Sequence, residues 1–337
     1  MTKRRIPLLA VTLVYLVMWV PYISLTRYLA IASQGSIGRP LGGLEILPVS
    51  LTVSLVVTYL FFAASGWWRA AHQFKLGGLS LPRPTRWTLL AGVGAALLMI
   101  AVPLSYTFAG VSIPFVQLLM RGDVLLIAPV IDLMTRRKVR WFSWIALALV
   151  AVGLIVTIRQ RGGLSLPPLC IAVIGLYILG YFIRLGIMSR IAKSGDLQAL
   201  KQYYVEEQLV AAPIAVVALG VIAVFAAGKQ AMQLQFGFTG LWHNGVTGLI
   251  AVIGALVFIQ GLLATTILLD ERENTYCVPL ERSASVLGGT FAAYLLASFF
   301  HMPFPTSAEL FGAILLIVAV AILSLGPLLT RPRKAAS

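Results

Sequence analysis

Long apolar runs separated by short polar segments dominate the chain. A helix needs roughly 20 apolar residues to cross the hydrocarbon core of a bilayer. Pro103, Gly110 and Pro114 divide one long apolar stretch into two runs of this kind. The pattern predicts an all-α integral membrane protein with ten transmembrane helices. The predicted spans are 7–31, 46–66, 87–108, 111–133, 142–158, 167–190, 205–227, 243–269, 277–299 and 308–327.

One face of the first run carries polar and aromatic side chains. Thr12, Tyr15, Trp19, Tyr22 and Thr26 follow three- and four-residue spacing, which places them on one side of a helix. Tyr15 and Trp19 lie deeper than the aromatic belts that occupy the ends of spans. The stripe therefore predicts the lining of a cavity, suited to aromatic, amphipathic or cationic ligands.

The same sparse pattern recurs in the second half of the chain. Tyr177 and Tyr181 repeat the spacing of Tyr15 and Trp19, and later segments of the two halves match at nearly the same separation. A near-constant separation across apolar segments favours an internal duplication. Halves with five spans each must have opposite orientations, as in many secondary transporters. The predicted repeats are residues 1–160 and 161–337.

Composition and charge support a membrane location. The chain is 59% hydrophobic and 11% charged, whereas soluble domains are about 25% charged. Its 26 Lys and Arg residues give a net charge of +15. Most of them fall in alternate connections, which the positive-inside rule assigns to the cytoplasm. The charge therefore predicts cytoplasmic termini, contact with anionic lipids and no nucleic-acid partner. We expect the membrane to be a bacterial cytoplasmic membrane.

Several local motifs accompany the apolar pattern. They are a near-absent connection between the third and fourth runs, the basic Arg136-Arg-Lys-Val-Arg140, the span ending in Val152-Gly153-Leu-Ile-Val, and Val278-Pro-Leu-Glu-Arg-Ser-Ala-Ser-Val-Leu-Gly-Gly. Together with the five-plus-five arrangement, they resemble the EamA-like, ten-helix branch of the drug/metabolite transporter superfamily. The resemblance covers essentially the whole chain. It implies two inverted five-helix repeats around a cavity lined mainly by the first, third, fourth, sixth, eighth and ninth helices.

The same resemblance bears on the substrate. The sugar-phosphate and nucleotide-sugar branch of the superfamily typically carries a Lys-Arg pair on its ninth helix. The corresponding positions here are Glu281 and Arg282. The missing Lys disfavours a strongly anionic substrate.

Two ionisable residues lie well inside the fourth predicted span. A charge at the centre of a membrane helix costs roughly 2.5 to 3.5 kcal/mol on insertion scales, so such residues usually face a cavity or a partner. Arg121 and Asp123 are two positions apart and point in different directions, so they do not pair with each other. A solute contact and a static ion pair between helices both stay open. Asp123 is also a candidate proton carrier, because a carboxyl that exchanges protons between two conformations can couple transport to a gradient.

Further polar candidates lie on other spans. Gln117 is one turn before Arg121 and corresponds to Arg282 in the repeat. Glu281 and Arg282 near the start of the ninth helix suit either an interfacial ion pair or a ligand contact. Gln260 is deep in the eighth. The predicted binding residues are Tyr15, Trp19, Tyr22, Gln117, Arg121, Asp123, Tyr177, Tyr181, Gln260, Glu281 and Arg282.

Motifs of other protein classes are missing from the sequence. It contains no GxxxxGK[ST] phosphate loop, and its three histidines lack the spacing of metal ligands. We therefore expect no cofactor, no metal and no catalytic site. The leading hypothesis is a secondary transporter of small organic metabolites or drugs, working by alternating access with its site between the repeats near the membrane midplane. The alternatives are a sugar-phosphate or nucleotide-sugar antiporter, a membrane-embedded lipid-modifying enzyme and a non-transporting scaffold.

Overall fold

The fold is a bundle of helices. The computed structural model describes residues 7–32, 37–77, 79–108, 111–121, 141–160, 166–192, 196–270 and 274–329. The described residues form α1 (Leu8–Ile31), α2 (Gly43–Ser65), α3 (Arg86–Ser105), α4 (Ile113–Arg121), α5 (Trp141–Gln160), α6 (Pro168–Ile191), α7 (Leu197–Phe225), α8 (Lys229–Thr239), α9 (Thr247–Leu268), α10 (Asn274–Phe300) and α11 (Ser307–Leu329).

Several of these helices have the length and composition of membrane spans. In the described part of the chain, seven helices qualify: α1, α2, α3, α6, α7, α9 and the Leu280–Phe300 portion of α10. Shorter apolar helices occur within α5 and α11. With 82% helix, the structure confirms the prediction of a helical integral membrane protein. The number of ten spans stays a prediction, since residues 122–140 lie outside the described part.

The connection before α3 contains regular structure that the apolar pattern did not predict. A 3-10 helix, Trp67–Ala70, leads into strand β1 (Gln73–Leu76), which pairs antiparallel with β2 (Leu79–Pro82). A search for apolar runs of membrane-span length does not detect strands of four residues. The hairpin is a small exception to the all-α prediction.

The start of α7 differs from its predicted position. The helix begins at Leu197, whereas the apolar pattern placed its start near 205. Its first turns are polar, yet Tyr203, Glu206 and Glu207 are all buried. Glu206 accepts hydrogen bonds from the connection before α3, Glu207 accepts them from Arg184 of α6, and Tyr203 donates to Glu207, so hydropathy alone placed the boundary too late. The short helix α8 likewise occupies a segment that was predicted to be a loop.

Many of the helix contacts run between residues 1–160 and residues 161–337. Helix α3 packs against α6 and α7, and α9 packs against α1 and α2. Helix α1 packs against α10, and α6 packs against α4. Three further contacts, α2 with α7, α4 with α10 and α5 with α11, join the halves directly.

Glycines permit two of these close contacts. A Cβ atom on Gly92 of α3 would lie 2.5 Å from Cβ of Val210 in α7. One on Gly254 of α9 would lie 2.4 Å from the Ser50 carbonyl oxygen in α2. Both distances are too short for real carbon atoms. The α3–α7 and α9–α2 pairs therefore meet at points where only glycine fits, as is common between membrane helices.

A buried arginine stabilises the connection between α3 and α4. The Arg27 guanidinium donates hydrogen bonds to the carbonyl oxygens of Tyr106 (3.1 Å), Phe108 (2.7 Å) and Val111 (2.8 Å). These carbonyls follow the end of α3, where no further helical turn provides donors. Arg27 therefore has a structural role and holds α1 against this connection.

Glu206 of α7 forms hydrogen bonds with the residue before the hairpin and with the start of α3. It is buried, and its Oε1 accepts a hydrogen bond from the His72 backbone N–H (3.1 Å) and lies 2.7 Å from His72 Nδ1. Its Oε2 accepts from the Thr88 hydroxyl (2.8 Å) and the Thr85 backbone N–H (3.3 Å). One carboxylate thus fixes two connecting elements to the bundle.

A second carboxylate stabilises the start of α2. Arg39 forms a bidentate ion pair with Glu45 at 2.8 and 2.9 Å, and Glu45 also accepts a hydrogen bond from the Gly42 backbone N–H. The hydrogen bonds to Glu45 raise the pKa of the Arg39 guanidinium above its ordinary value. The connection between α1 and α2 is therefore held by charge at the α2 N-terminus.

Candidate functional site

A cavity lies between α1, α3, α6, α7, α9 and α10. The cavity is open to solvent, and the empty space inside it and at its opening totals about 740 Å³. Eight of the eleven predicted binding residues line its walls: Tyr15, Trp19, Tyr22, Tyr177, Tyr181, Gln260, Glu281 and Arg282. The two halves of the chain both contribute to this lining.

The α1 wall of the cavity is a chain of aromatic rings. The Trp19 ring centroid lies 5.8 Å from that of Tyr15 and 5.4 Å from that of Tyr22, with the planes near right angles. Tyr106 also packs edge-on, at 6.2 Å from both Trp19 and Tyr22. Edge-to-face pairs in this distance range are favourable beyond their buried area. The helical spacing of α1 therefore produces a wall of rings that support one another.

Arg282 of α10 lies against two tyrosines of α6. The Tyr177 and Tyr181 rings are stacked, with centroids 6.2 Å apart and planes 15° from parallel. The Arg282 guanidinium is 3.8 Å from the Tyr181 ring centroid, and its Nη1 donates a hydrogen bond to the Tyr177 hydroxyl. Only 2% of Arg282 is exposed. The contact combines a cation–π interaction with a hydrogen bond and joins α10 to α6.

Glu281 joins α10 to α1. Its Oε1 accepts a hydrogen bond from the Tyr15 hydroxyl, and its Oε2 lies 3.5 Å from Arg282 Nε. No described residue donates a hydrogen bond to that Oε2 atom. Glu281 thus balances the charge of Arg282 and leaves one acceptor oxygen in the cavity wall.

A second arginine in the wall belongs to a stronger ion pair. Arg184 of α6 donates to both carboxylate oxygens of Glu207 in α7, at 2.7 and 2.8 Å. It also donates to the Thr265 hydroxyl of α9 at 2.6 Å, while the Tyr203 hydroxyl donates to Glu207 at 2.8 Å. This bidentate pair fastens three helices together. Arg184 was not among the predicted binding residues, although it follows Tyr181 by three positions.

Two glutamines contribute amide groups to the cavity. Gln260 of α9 is 7% exposed, and neither its Oε1 nor its Nε2 has a hydrogen-bond partner among the described residues. Gln208 of α7 also lines the walls. Gln208 was not predicted, because it follows Glu206 and Glu207 in a polar segment and does not stand alone in an apolar run as Gln260 does.

Three predicted binding residues lie outside this cavity or outside the described residues. Gln117 packs between α4 and α10, where its Nε2 donates to the Ser285 carbonyl oxygen at 2.9 Å and lies 3.5 Å from the Tyr106 hydroxyl. It is not part of the cavity wall. Arg121 is the last described residue of α4, but its side chain is not among those described, and Asp123 lies outside the described residues. Their predicted roles stay predictions.

The remaining walls are apolar, and no motif indicated them. Helices α3 and α9 supply small and aliphatic side chains, including Ala95, Met99, Val102, Val257 and Ala264. Apolar side chains that face lipid and apolar side chains that face a cavity look alike in a sequence.

Across the residues that the structure describes, no group of three or more His, Cys, Asp and Glu side chains could hold a metal ion.

Comparisons with known proteins define the fold but no activity. No protein family model matches the chain, and no curated protein sequence matches it either. Seventeen chains of solved structures do match. One, described only as the crystal structure of a protein, aligns over 96% of this chain and 99% of its own length, with a TM-score of 0.51 and 14% identity. The two proteins therefore share a fold over nearly their whole lengths, and such low identity shows nothing further.

Proposed function

We propose that the protein is a secondary transporter that moves a small organic solute by alternating access, in the manner of the drug/metabolite transporter superfamily. The observation that carries the proposal is the cavity between six helices of a membrane protein, lined by aromatic rings, two amides and paired charges. Polar side chains inside membrane spans are costly and mark solute pathways by default. Convergence of eight predicted residues on one cavity supports a binding role for them.

The helix contacts support an architecture of ten spans in two inverted repeats, residues 1–160 and 161–337. If the repeat relates α1 to α6, α2 to α7, α3 to α9 and α4 to α10, the α3–α6, α3–α7 and α6–α4 contacts correspond to the α9–α1, α9–α2 and α1–α10 contacts. Repeats related by a two-fold axis produce such corresponding pairs, and transporters of this kind bind solute where the repeats meet. The matching glycine contacts at Gly92 and Gly254 fit the same relationship.

Paired charges favour a neutral solute over an anion. Arg184 is engaged by Glu207, and Arg282 lies beside Glu281. A phosphorylated solute would have to compete with these carboxylates for the arginines. This disfavours the alternative of a sugar-phosphate or nucleotide-sugar antiporter.

The make-up of the cavity also disfavours an enzyme. No serine, cysteine, histidine or aspartate lines its described walls, so the one carboxylate there, Glu281, has no serine or cysteine nucleophile beside it. We further propose a bacterial cytoplasmic membrane with both termini in the cytoplasm, and anionic lipids beside the basic connections. Proton coupling through Asp123 belongs to the same proposal.

The proposal is tested by combining a binding screen with a flux assay. Purified protein is screened by thermal shift against amino acids, nucleobases, sugar phosphates and cationic drugs, since a ligand that binds the folded state raises its apparent stability. Stabilising compounds are then tested for flux into vesicles that contain the protein. We expect saturable flux, absent from protein-free vesicles.

Matched variants assign that flux to the cavity. Tyr177→Phe removes the hydroxyl that accepts from Arg282, while Tyr294→Phe removes a hydroxyl from a side chain that is 40% exposed on the same bundle. We expect the first variant to alter flux and the second to leave it unchanged. Equal flux in vesicles with and without protein, for every compound that binds, would contradict the proposal.

A further inference from the structure

We propose that the transported solute is a free nucleobase or a close N-heterocyclic analogue, recognised at its hydrogen-bonding edge by the Gln260 carboxamide. The inference rests on the transport function proposed above and names the substrate class of the same cavity. Three properties of the cavity support it: an amide that lacks a partner, charges that are already neutralised, and walls built from aromatic rings.

Gln260 is the group in the wall whose bonding is least complete. It is 7% exposed, lines the cavity, and has no hydrogen-bond partner for Oε1 or Nε2 among the described residues. Buried polar groups in folded proteins are nearly always hydrogen-bonded, and leaving both ends of an amide unpaired is unfavourable. A ligand that forms hydrogen bonds with both Oε1 and Nε2 would remove this free-energy cost.

The chemistry of an amide limits which ligands can do so. A carboxamide presents one acceptor oxygen and an NH₂ donor side by side. Its complement is a planar edge with a neighbouring donor and acceptor, and glutamine pairs with an adenine edge in this way. A carboxylate or phosphate offers only acceptors, and an ammonium group only donors. Each of those would leave one end of Gln260 unpaired.

The charges in the walls favour a neutral molecule. Glu207 makes two hydrogen bonds with Arg184, and Arg282 is held between Glu281 and the tyrosines of α6. A charged ligand would have to displace one of these partners. Neutral bases avoid that competition, and Glu281 Oε2, which accepts no hydrogen bond from the described residues, can accept one from a ring N–H.

The aromatic lining suits a flat ligand. Tyr15, Trp19 and Tyr22 form one wall, and Tyr177 and Tyr181 contribute from α6. Nucleic-acid-binding proteins obtain much of their affinity by stacking bases on such rings, because every base has a π-face. Enzymes that flip a base out of a duplex likewise hold it by hydrogen bonds to its edge and by stacking between aromatic or apolar side chains.

The test measures binding to the purified full-length protein in detergent. Adenine, cytosine, uracil and hypoxanthine are compared with indole, which has a similar flat shape without the donor–acceptor edge, and with glucose 6-phosphate and tetraethylammonium. We expect at least one base to bind saturably in equilibrium dialysis and to raise the melting temperature. Indole should bind at least about tenfold more weakly, since a site built for hydrogen bonds rejects analogues that cannot make them.

Variants separate a ligand-binding amide from a structural one. Gln260→Leu should weaken base binding at least about tenfold while the ligand-free melting temperature stays equal or rises, because an unpaired buried amide is removed. The matched control is Gln235→Leu, outside the cavity. Gln235 Nε2 donates to the Ala223 carbonyl oxygen at 2.6 Å. This control should lower the melting temperature and leave base binding unchanged.

Each outcome decides the inference. Unchanged base binding by Gln260→Leu, or the absence of base binding to the native protein, overturns it. If another solute class binds and crosses vesicle membranes while the bases do not, the substrate class is wrong and the transport function stands. The bases could also bind through Gln260 without crossing the membranes of vesicles that contain the protein. In that case the assignment of the ligand stands, and the proposed transport function is contradicted.

Discussion

Removing one partner of the Arg184–Glu207 pair is expected to destabilise the protein more than removing both. The Glu207 side chain is 0% exposed, and it accepts two hydrogen bonds from Arg184 and one from Tyr203. Arg184→Met leaves this carboxylate with the Tyr203 hydroxyl alone. Breaking a buried pair in this way typically costs about 3 to 5 kcal/mol of unfolding free energy.

The reciprocal change has a similar expected cost. Glu207→Leu leaves the Arg184 guanidinium with one described hydrogen-bond partner, the Thr265 hydroxyl. The double variant removes both charges, and apolar replacement of a whole buried pair is often neutral or stabilising by about 1 to 4 kcal/mol. The single losses therefore add to roughly 6 to 10 kcal/mol, while the double variant should lose less than about 2 kcal/mol.

The assay is a double-mutant cycle on the unfolding free energy, measured for all four proteins in one detergent. Tyr203→Phe serves as a calibration, because it removes one hydrogen bond to a charged group and should cost about 1.5 to 3 kcal/mol. Additive losses in the double variant would refute this reasoning. Losses below about 1 kcal/mol in both single variants would do the same, since they would mean that the charges are not desolvated.

Other contacts give further expectations. Gly254→Ala should lower the unfolding free energy by about 1 to 3 kcal/mol, because the added Cβ forces α9 away from α2. The control is Gly175→Ala, whose Cβ would meet nothing within 4 Å and which should be neutral or stabilising. Thermal unfolding of the two variants measures the difference. Arg27→Met should cost more than about 2 kcal/mol in the same assay, because three carbonyls lose a charged donor. Glu206→Ala should release the hairpin and speed tryptic cleavage at Lys75, followed by mass spectrometry; an unchanged cleavage rate would contradict the role of Glu206.

The sequence predicted the helical class and much of the cavity for one physical reason. Apolar length identifies helices in a membrane protein, and helical periodicity then determines which side chains share a face. A face that carries Tyr15, Trp19 and Tyr22 is unsuited to lipid, so its exposure to a cavity follows from spacing alone. The α6 tyrosines were found by the same reasoning through the repeat.

The sequence could not predict which side chains meet across the bundle. Tyr15 and Glu281 are 266 positions apart, and Arg184 and Glu207 are 23 apart. Only the packing of helices brings each pair together. Gln117 shows the same limitation, because it was predicted as a binding residue, yet it is buried between α4 and α10, where it donates to the Ser285 carbonyl oxygen.

The paired charges also bear on how transport would be driven. Each arginine in the walls has a carboxylate neighbour, so these pairs contribute no net formal charge. Moving one elementary charge across the membrane potential is worth about 2.3 kcal/mol per 100 mV. A neutral solute carried alone past fixed, neutral pairs transfers no charge, whereas a proton carried with it through Asp123 adds one charge. With the proton coupling proposed above, we expect the flux to follow a potential imposed with potassium and valinomycin, and we expect Asp123→Asn to remove that dependence while solute exchange continues. Flux that ignores the potential in both proteins would contradict proton coupling and leave exchange of the neutral solute alone.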